Sequence, residues 1–222
     1  MNTNLNFKTY FETPIYATEL PELVDDLNRA SDPFIKDAKI ANKKLIKDRN
    51  KKLKKNIGDF SLSHHSASLL NFPQFKKLQD YVGDRSIEIL EHIGYDLKNY
   101  TLAFTELWVQ EFSEKGGGHH EGHIHYNNHI SGFYFLKTSD RTSFPVFHDP
   151  RIAKLATQLP LKNPKEITFG NPAVNFKPKP GTLILFPAFL EHQFTVDCGL
   201  DPFRFIHWNI QAVPKEMAKD VQ

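Results

Sequence analysis

The chain has 222 residues, of which 40% are hydrophobic and 24% charged, and its formal net charge is +2. These values are ordinary for a globular protein with one sizeable core, and they argue against a strong polyanionic partner such as a nucleic acid. Cys198 is the single cysteine, which excludes an internal disulfide and a cysteine-based zinc site.

The first half of the chain is predicted to be mainly helical. Residues 5–16 are aromatic and β-branched, so they predict one short strand and do not resemble a signal peptide. From Leu20 apolar residues recur at helical spacing, with Pro21 near the start. The basic run Lys43–Lys55 predicts an amphipathic helix or a mobile arm, and residues 75–93 predict another helix.

After Tyr95 the pattern changes to short β-strands separated by glycine and proline. Several short strands with turn signals between them are typical of a sandwich or a barrel. No stretch has the roughly 20 consecutive apolar residues of a membrane span, so we expect a cytoplasmic protein. The predicted strands cover residues 102–112, 130–137, 144–147, 173–176, 182–186, 193–196 and 203–213.

A histidine-rich segment at residues 119–129 is the main chemical signal. His123 and His125 are two residues apart, so in an extended strand both imidazoles point to the same face and can bind one metal ion. His192, where an apolar strand ends, is the best candidate for a third ligand. Three ligands on one side of a metal leave coordination positions open. The alternative is a polar loop, or an adventitious site for nickel or zinc.

Two further observations concern single residues. Arg204 lies in a predicted strand of Phe, Ile and Trp, where an inward-facing cation is costly unless an anion pairs with it. A guanidinium presents two parallel donors that suit a carboxylate, although Arg204 could also face outward from a half-exposed strand. The remaining histidines have no partner pattern and are interpreted as surface or ordinary core residues: His64, His65, His92 and His207.

The combined motifs resemble a known family. They are His-x-His, Ser-Gly before an aromatic strand, FHDPR, a P-x-x-G-T-L-I-L-F-P segment leading to a histidine, and an arginine in a strand ending in WNI. Together they resemble the 2-oxoglutarate-Fe(II) oxygenase superfamily, and more narrowly a small branch found in bacteria and marine phages. The resemblance implies one domain over 1–222, with a helical support segment at 1–98. Residues 99–213 would form a double-stranded β-helix core, a jelly roll like that of the cupins.

The resemblance also implies roles for residues. His123 and His192 would bind Fe(II), and Arg204 would pair with the far carboxylate of 2-oxoglutarate. The superfamily normally has Asp or Glu where this chain has His125, so Glu121, in His-x-Glu at residues 119–121, is the alternative carboxylate ligand. Ile206 replaces a serine that often follows the arginine, so the hydroxyl partner of 2-oxoglutarate would come from elsewhere. The candidates are Tyr134 and Thr195.

We therefore expect an oxygenase, and specifically a hydroxylase, that uses Fe(II), 2-oxoglutarate and O2 and forms succinate. Its substrate would be prolyl, peptidyl or a small molecule, and a homodimer is considered. Two alternatives stay open: a cupin-like three-histidine metalloenzyme without 2-oxoglutarate, and a non-catalytic binding barrel. FHDPR contributes Asp149 and Arg151 without a clear role. Candidates to line the pocket are Trp108, Gln110, Tyr126, Asn128, Tyr134, Phe147 and His148.

Overall fold

The computed structural model describes residues 8–218 as helices packed on one of two β-sheets. The helices are α1 (Val24–Ala41), α2 (Lys43–Leu53), α3 (Lys76–Ile93) and a short α4 (Lys215–Ala218). The strands are β1 (Tyr16–Glu19), β2 (Ser63–His65), β3 (Tyr100–Phe112), β4 (His120–His123), β5 (Ile130–Lys137), β6 (Pro145–His148), β7 (Ala173–Asn175), β8 (Thr182–Pro187), β9 (His192–Phe194) and β10 (Arg204–Pro214). In this part of the chain no helix is both long and apolar enough to cross a membrane.

The helices of the N-terminal half agree with the sequence pattern. α1 and α3 each follow a one-turn 3-10 helix that starts at a proline, Pro21 and Pro73. Proline suits this position because the first helical N–H groups have no intrahelical acceptor. The basic run forms α2, which buries no residue. The residue that caps its C-terminal end, Lys54, has a left-handed backbone conformation. The strand predicted at residues 5–16 is wrong for 8–15, since β1 begins at Tyr16; residues 5–7 lie outside the described part.

All strand pairs are antiparallel and form two sheets. The larger sheet has the order β1-β8-β5-β10-β3-β2, and the smaller has the order β4-β9-β6-β7. The seven strands predicted after Tyr95 are all present, with bounds that differ by one or two residues. The predicted fold class, mainly β with N-terminal helices, is confirmed.

Two hydrophobic cores lie on opposite faces of the larger sheet. One core joins the sheet to α1 and α3 and includes Trp208 and Ile210. The other lies between the sheets and is built mainly of phenylalanine, for example Phe133 and Phe205. Successive residues of a strand point to opposite faces, so β10 contributes alternate side chains to each core.

Gly132 of β5 lies where β8 and the Trp208 ring of β10 pack too closely for a side chain. A Cβ atom there would lie 2.5 Å from the Ile184 carbonyl oxygen and 2.5 Å from the Trp208 ring. Real Cβ atoms do not come this close, so a larger side chain would push β5 away from its neighbours. The Ser-Gly pair of the family motif is thus explained by packing beneath Trp208.

Candidate metal centre

Three histidines meet at one end of the space between the sheets. His123 and His192 are direct partners in the antiparallel pair of β4 and β9. His125 lies just after β4, and its backbone N–H donates to the Ala188 carbonyl at 2.9 Å. One ligand atom from each histidine lies within 4.8 Å of the other two. The structure therefore brings together the three histidines chosen from the sequence.

The hydrogen bonds of these rings leave one nitrogen of each free. The Nδ1 atoms of His123 and His192 lie 2.7 and 2.9 Å from the carbonyl oxygens of Glu121 and Leu190, so both donate there. The Nε2 atoms of His125 and His192 are buried and have no partner in the described structure. A metal ion would satisfy these nitrogens. His192 is oriented by a backbone bond at its other nitrogen, as metal-binding histidines usually are, whereas the other nitrogen of His125 contacts the side-chain amide of Asn209.

Burial keeps two of the three histidines, His125 and His192, neutral. Loss of water lowers the pKa of His192 to about 3 and the pKa of His125 to about 4, and neighbouring histidines add to the effect. At neutral pH both rings therefore carry a free lone pair. Neutral imidazole nitrogens suit Fe(II), Zn(II) and related ions, so the residues present fit the iron that the resemblance implies.

The space beneath the group is closed by aromatic side chains. The rings of Phe186 and Phe133 lie 4.8 and 5.5 Å from that of His192, and Phe194, Phe205 and other phenylalanines fill the next layer. On the other side, a cavity of about 400 Å³ has His125, Trp108 and Glu106 in its wall. A ligand in this cavity can therefore reach His125, the one member of the group in its wall.

The alternative carboxylate ligand is not part of the group. Glu121 is exposed, and its backbone oxygen, not its carboxylate, contacts His123. His119 is also exposed and contacts the Gly117 carbonyl. The His-x-Glu pair does not converge with His192.

Arg204 lies on the other face of the larger sheet. It follows the alternation of Ile206 and Trp208, which point toward the helices. Its Nε and Nη2 atoms each lie 2.7 Å from Glu111 Oε2, and its Nη1 lies 2.7 Å from Asp32 of α1. It is the one buried cation among residues 8–218. The interpretation that Arg204 holds 2-oxoglutarate does not fit this placement, because its donors are already bound to carboxylates of the chain.

Tyr134 and Thr195 are also outside the centre. The Tyr134 hydroxyl donates to the Leu20 carbonyl at 2.7 Å within the helical core, and burial raises its pKa. The Thr195 hydroxyl lies 3.3 Å from Ser143 Oγ and from the Phe144 amide. Neither side chain reaches the histidines, so no residue of the described chain is assigned to the far carboxylate of 2-oxoglutarate.

The FHDPR motif forms a local ion pair. Arg151 Nε and Nη2 donate to the two carboxylate oxygens of Asp149 at 2.9 and 2.8 Å, and Lys154 donates to the same carboxylate at 2.7 Å. These contacts lower the pKa of Asp149. Since all partners lie within five residues, the motif stabilises the loop after β6.

Several predicted pocket residues lie near the centre. Trp108 stacks on His65 and His207 with ring centroids 4.1 and 4.5 Å apart, and Phe147 lies 5.9 Å from His192. The others are placed as follows: Gln110 contacts His120, Tyr126 is exposed beside His125, Asn128 accepts from Thr105, and His148 has a buried Nε2 without a partner.

Sequence reasoning missed three residues next to the centre. His207 stacks on His125 with centroids 4.7 Å apart, and Asn209 Nδ2 lies 2.9 Å from His125 Nδ1 and 3.0 Å from a Glu106 carboxylate oxygen. The alternation Phe205, His207, Asn209 on one face of β10 is the signal that could have found two of them. Glu106 had no such signal, because it is polar at an exposed strand position.

Comparisons with known proteins support the resemblance to the oxygenase superfamily. The family model described as "Putative 2OG-Fe(II) oxygenase" matches residues 106–199. Among solved structures, AviO1 from Streptomyces viridochromogenes Tue57 matches with a TM-score of 0.57 at 11% identity, over 90% of each chain. A Pseudomonas putida prolyl-4-hydroxylase matches with a TM-score of 0.52 at 8% identity, over 89% of this chain and 92% of that one. No curated protein sequence matches.

A third match is partial. It is an oxidoreductase of the 2OG-Fe(II) oxygenase family from Burkholderia pseudomallei, with a TM-score of 0.44 and 14% identity. The match covers 64% of this chain and 59% of that one, so this chain spans about three fifths of that protein's length. The predicted cofactors, Fe(II) and 2-oxoglutarate, are those that the matching family description names, and three histidines here could hold the metal. The predicted resemblance to the 2-oxoglutarate-Fe(II) oxygenases is thus confirmed, by a sequence match over residues 106–199 and by a shared double-stranded β-helix fold.

Proposed function

We propose that this protein is an Fe(II)- and 2-oxoglutarate-dependent oxygenase with His123, His125 and His192 as the iron ligands. The observation that carries the proposal is the convergence of three imidazoles, two of which, His125 and His192, have a buried Nε2 without a partner. We further propose that the reaction is a hydroxylation, since the P. putida structure with the same fold is a prolyl-4-hydroxylase. Its substrate would be peptidyl or a small molecule.

The residues around the centre would each do part of the work. His123 and His192 are held in register by the pairing of β4 with β9, so the ligands are positioned before the metal binds. The phenylalanines beneath exclude water from that side, and the cavity beside Trp108 gives the substrate access. Bound iron would supply the oxidising chemistry with O2 that amino-acid side chains lack.

One observation favours a second candidate, a three-histidine metalloenzyme that does not use 2-oxoglutarate. The three-histidine group includes no carboxylate, and the buried cation Arg204 is committed to Glu111 and Asp32. Among residues 8–218, no buried cation is therefore free to balance the far charge of a dicarboxylate. The two candidates differ in co-substrate but share the metal ligands.

An anaerobic titration separates the two candidates. Fe(II) is added to metal-free protein, then 2-oxoglutarate, and the visible spectrum is followed for the charge-transfer band of a chelated keto acid. A band that saturates supports the oxygenase; iron binding without a band supports the second candidate. If iron does not bind at all, both are wrong.

A matched pair of variants makes the experiment specific. His192→Ala removes a buried ligand, whereas His119→Gln removes an exposed histidine of the same segment. We expect the band to disappear in the first variant and to persist in the second. Cytoplasmic location, a homodimer and the division into a support segment and a β-helix core stay predictions.

A further inference from the structure

We propose that Glu106, His125 and His207 form a second divalent-cation site, which shares His125 with the three-histidine group. One ligand atom from each of these residues lies within 4.8 Å of the other two. Two histidines and one carboxylate are a common ligand set for Fe(II), Co(II) and Zn(II) in enzymes. The inference goes beyond the proposed function, which needs one metal ion.

The imidazole of His207 is the strongest evidence for a missing ligand. The residue is 1% exposed, and neither ring nitrogen has a hydrogen-bond partner in the described structure. Its ring is held between His125 and Trp108, with centroids 4.7 and 4.5 Å away. Leaving a buried polar atom without a partner is energetically unfavourable. A cation bound at one nitrogen would remove part of this penalty.

The side-chain amide of Asn209 occupies a position where neighbouring acceptor atoms favour positive charge. Its Nδ2 group lies between two acceptors, 2.9 Å from His125 Nδ1 and 3.0 Å from Glu106 Oε2. An amide NH2 group carries partial positive charge and here occupies the position between two ligand atoms. Its Oδ1 is buried without a partner. Rotation of the amide by half a turn would withdraw the NH2 group and turn this oxygen toward a bound cation.

His125 can serve both sites because its two nitrogens face different neighbours. Its Nε2 is buried without a partner, whereas its Nδ1 lies 2.9 Å from Asn209 Nδ2, the amide nitrogen that also donates to Glu106. We assign Nε2 to the group with His123 and His192, and Nδ1 to the second site. When both nitrogens bind metal, the ring gives up its one N–H proton to solvent and bridges the ions as imidazolate. The negative charges of this bridge and of Glu106 would offset part of the two cations' charge.

The second site is open to ions from solution. The Glu106 side chain is 51% exposed and lines the cavity of about 400 Å³ beside Trp108. Its carboxylate accepts from the neutral groups Asn209 Nδ2 and Trp108 Nε1 at 3.0 and 3.4 Å. Among the described residues its one ionisable partner is His207 Nε2 at 3.8 Å, and no lysine or arginine is within 4.0 Å. A divalent cation would therefore not have to displace an existing ion pair.

Metal stoichiometry tests the proposal directly. Metal-free protein is titrated anaerobically with Co(II) alone, and bound metal is counted after desalting and followed by the Co(II) absorption. We expect two equivalents in the wild type and one in Glu106→Gln, His207→Phe and His192→Ala. His125→Ala, which removes the shared ligand, should retain none. His65→Gln changes an exposed histidine in the same cavity wall and should keep two.

Each other pattern overturns the proposal. A wild type that saturates at one equivalent has no second site, and a Glu106→Gln protein that keeps two places the second ion elsewhere. One equivalent retained by His125→Ala would show that the ligand is not shared. Glu106 is exposed, so its variant remains informative even if His207→Phe does not fold. A missing keto-acid band with two bound ions would refute the proposed oxygenase and leave this inference intact.

Discussion

The two faces of β10 differ in the partners of their ionisable side chains, while Trp208 Nε1, on the helical face, is buried without a partner. Toward the helices, the donors of Arg204 are bound to Glu111 and Asp32 at 2.7 Å, and Lys39 pairs with the same Glu111. Toward the smaller sheet, the His207 nitrogens and Asn209 Oδ1 have no partner. A buried ion pair that is satisfied within the chain stabilises the fold, whereas unpartnered imidazole nitrogens beside a cavity fit a ligand from outside. We call the face of β10 toward the helices the structural face, and the face toward the smaller sheet the chemical face.

The largest effect should follow loss of a ligand on the chemical face. His192→Ala removes one of three imidazoles, so we expect metal affinity at that site to fall at least about 100-fold, more than loss of an outer partner of a ligand usually costs. Zn(II) titration by calorimetry measures it. The circular dichroism spectrum should be unchanged; an affinity within threefold of wild type would remove His192 from the centre.

Breaking the ion pair on the structural face should reduce stability and spare the metal. Arg204→Met leaves Glu111 buried with a weaker set of partners, which typically costs about 3–5 kcal/mol in unfolding free energy. Urea denaturation measures this loss. Metal affinity should stay within twofold of wild type, and Arg204→Met combined with Glu111→Leu should recover most of the stability.

If Arg204 instead held 2-oxoglutarate, the single variant would show a different result. The keto-acid band would then saturate only at much higher 2-oxoglutarate concentration, with little change in the urea midpoint. This outcome would reverse the assignment of the two faces.

Acid should destabilise the metal-free protein through the chemical face. Burial lowers the pKa of His120 and His125 to about 4 and that of His192 to about 3, and also lowers the pKa of His207. The unfolded chain, with histidine pKa values near 6.5, binds more protons than the folded chain between about pH 6.5 and pH 4. Stability should therefore fall as the pH falls through this window, by up to about 1.4 kcal/mol per pH unit for each histidine.

Thermal melts between pH 7.5 and 4.5 test this dependence. Saturating Zn(II) should reduce the loss near neutral pH, since the metal holds the rings deprotonated, until protons displace it. A melting temperature that does not change with pH would mean that these rings are hydrated or paired in solution.

The smallest effect is expected at Tyr134. Its hydroxyl donates to the Leu20 carbonyl, so Tyr134→Phe should cost about 1 kcal/mol in urea denaturation. The affinity for 2-oxoglutarate should not change, because the side chain faces the helical core. A weakened keto-acid band in this variant would return Tyr134 to the list of cofactor contacts.

Much of the fold could be predicted because local patterns persist in the structure. Apolar residues at helical spacing predicted α1 and α3. Apolar, β-rich runs separated by glycine and proline predicted the strands from β3 onward, apart from β4. β4 was missed because its sequence, HEGH, has no apolar alternation. β2 was missed for a similar reason: it is three residues long, and pairing with the edge of β3 forms it.

The sequence by itself identified the three histidines that meet in the structure, because His-x-His and a distant histidine after an apolar strand form a recognisable pattern before the fold is known. The tertiary structure decided what the strand pattern could not. The side chains of a strand change face with every residue, and the pairing of β10 with β5 shifts register between Arg204 and Phe205. The shift lies next to Arg204, whose side chain points toward the helices, while Phe205 and His207 point toward the three-histidine group. Glu106 joined them because β3 pairs with β10 beside Asn209, a contact between residues 103 positions apart.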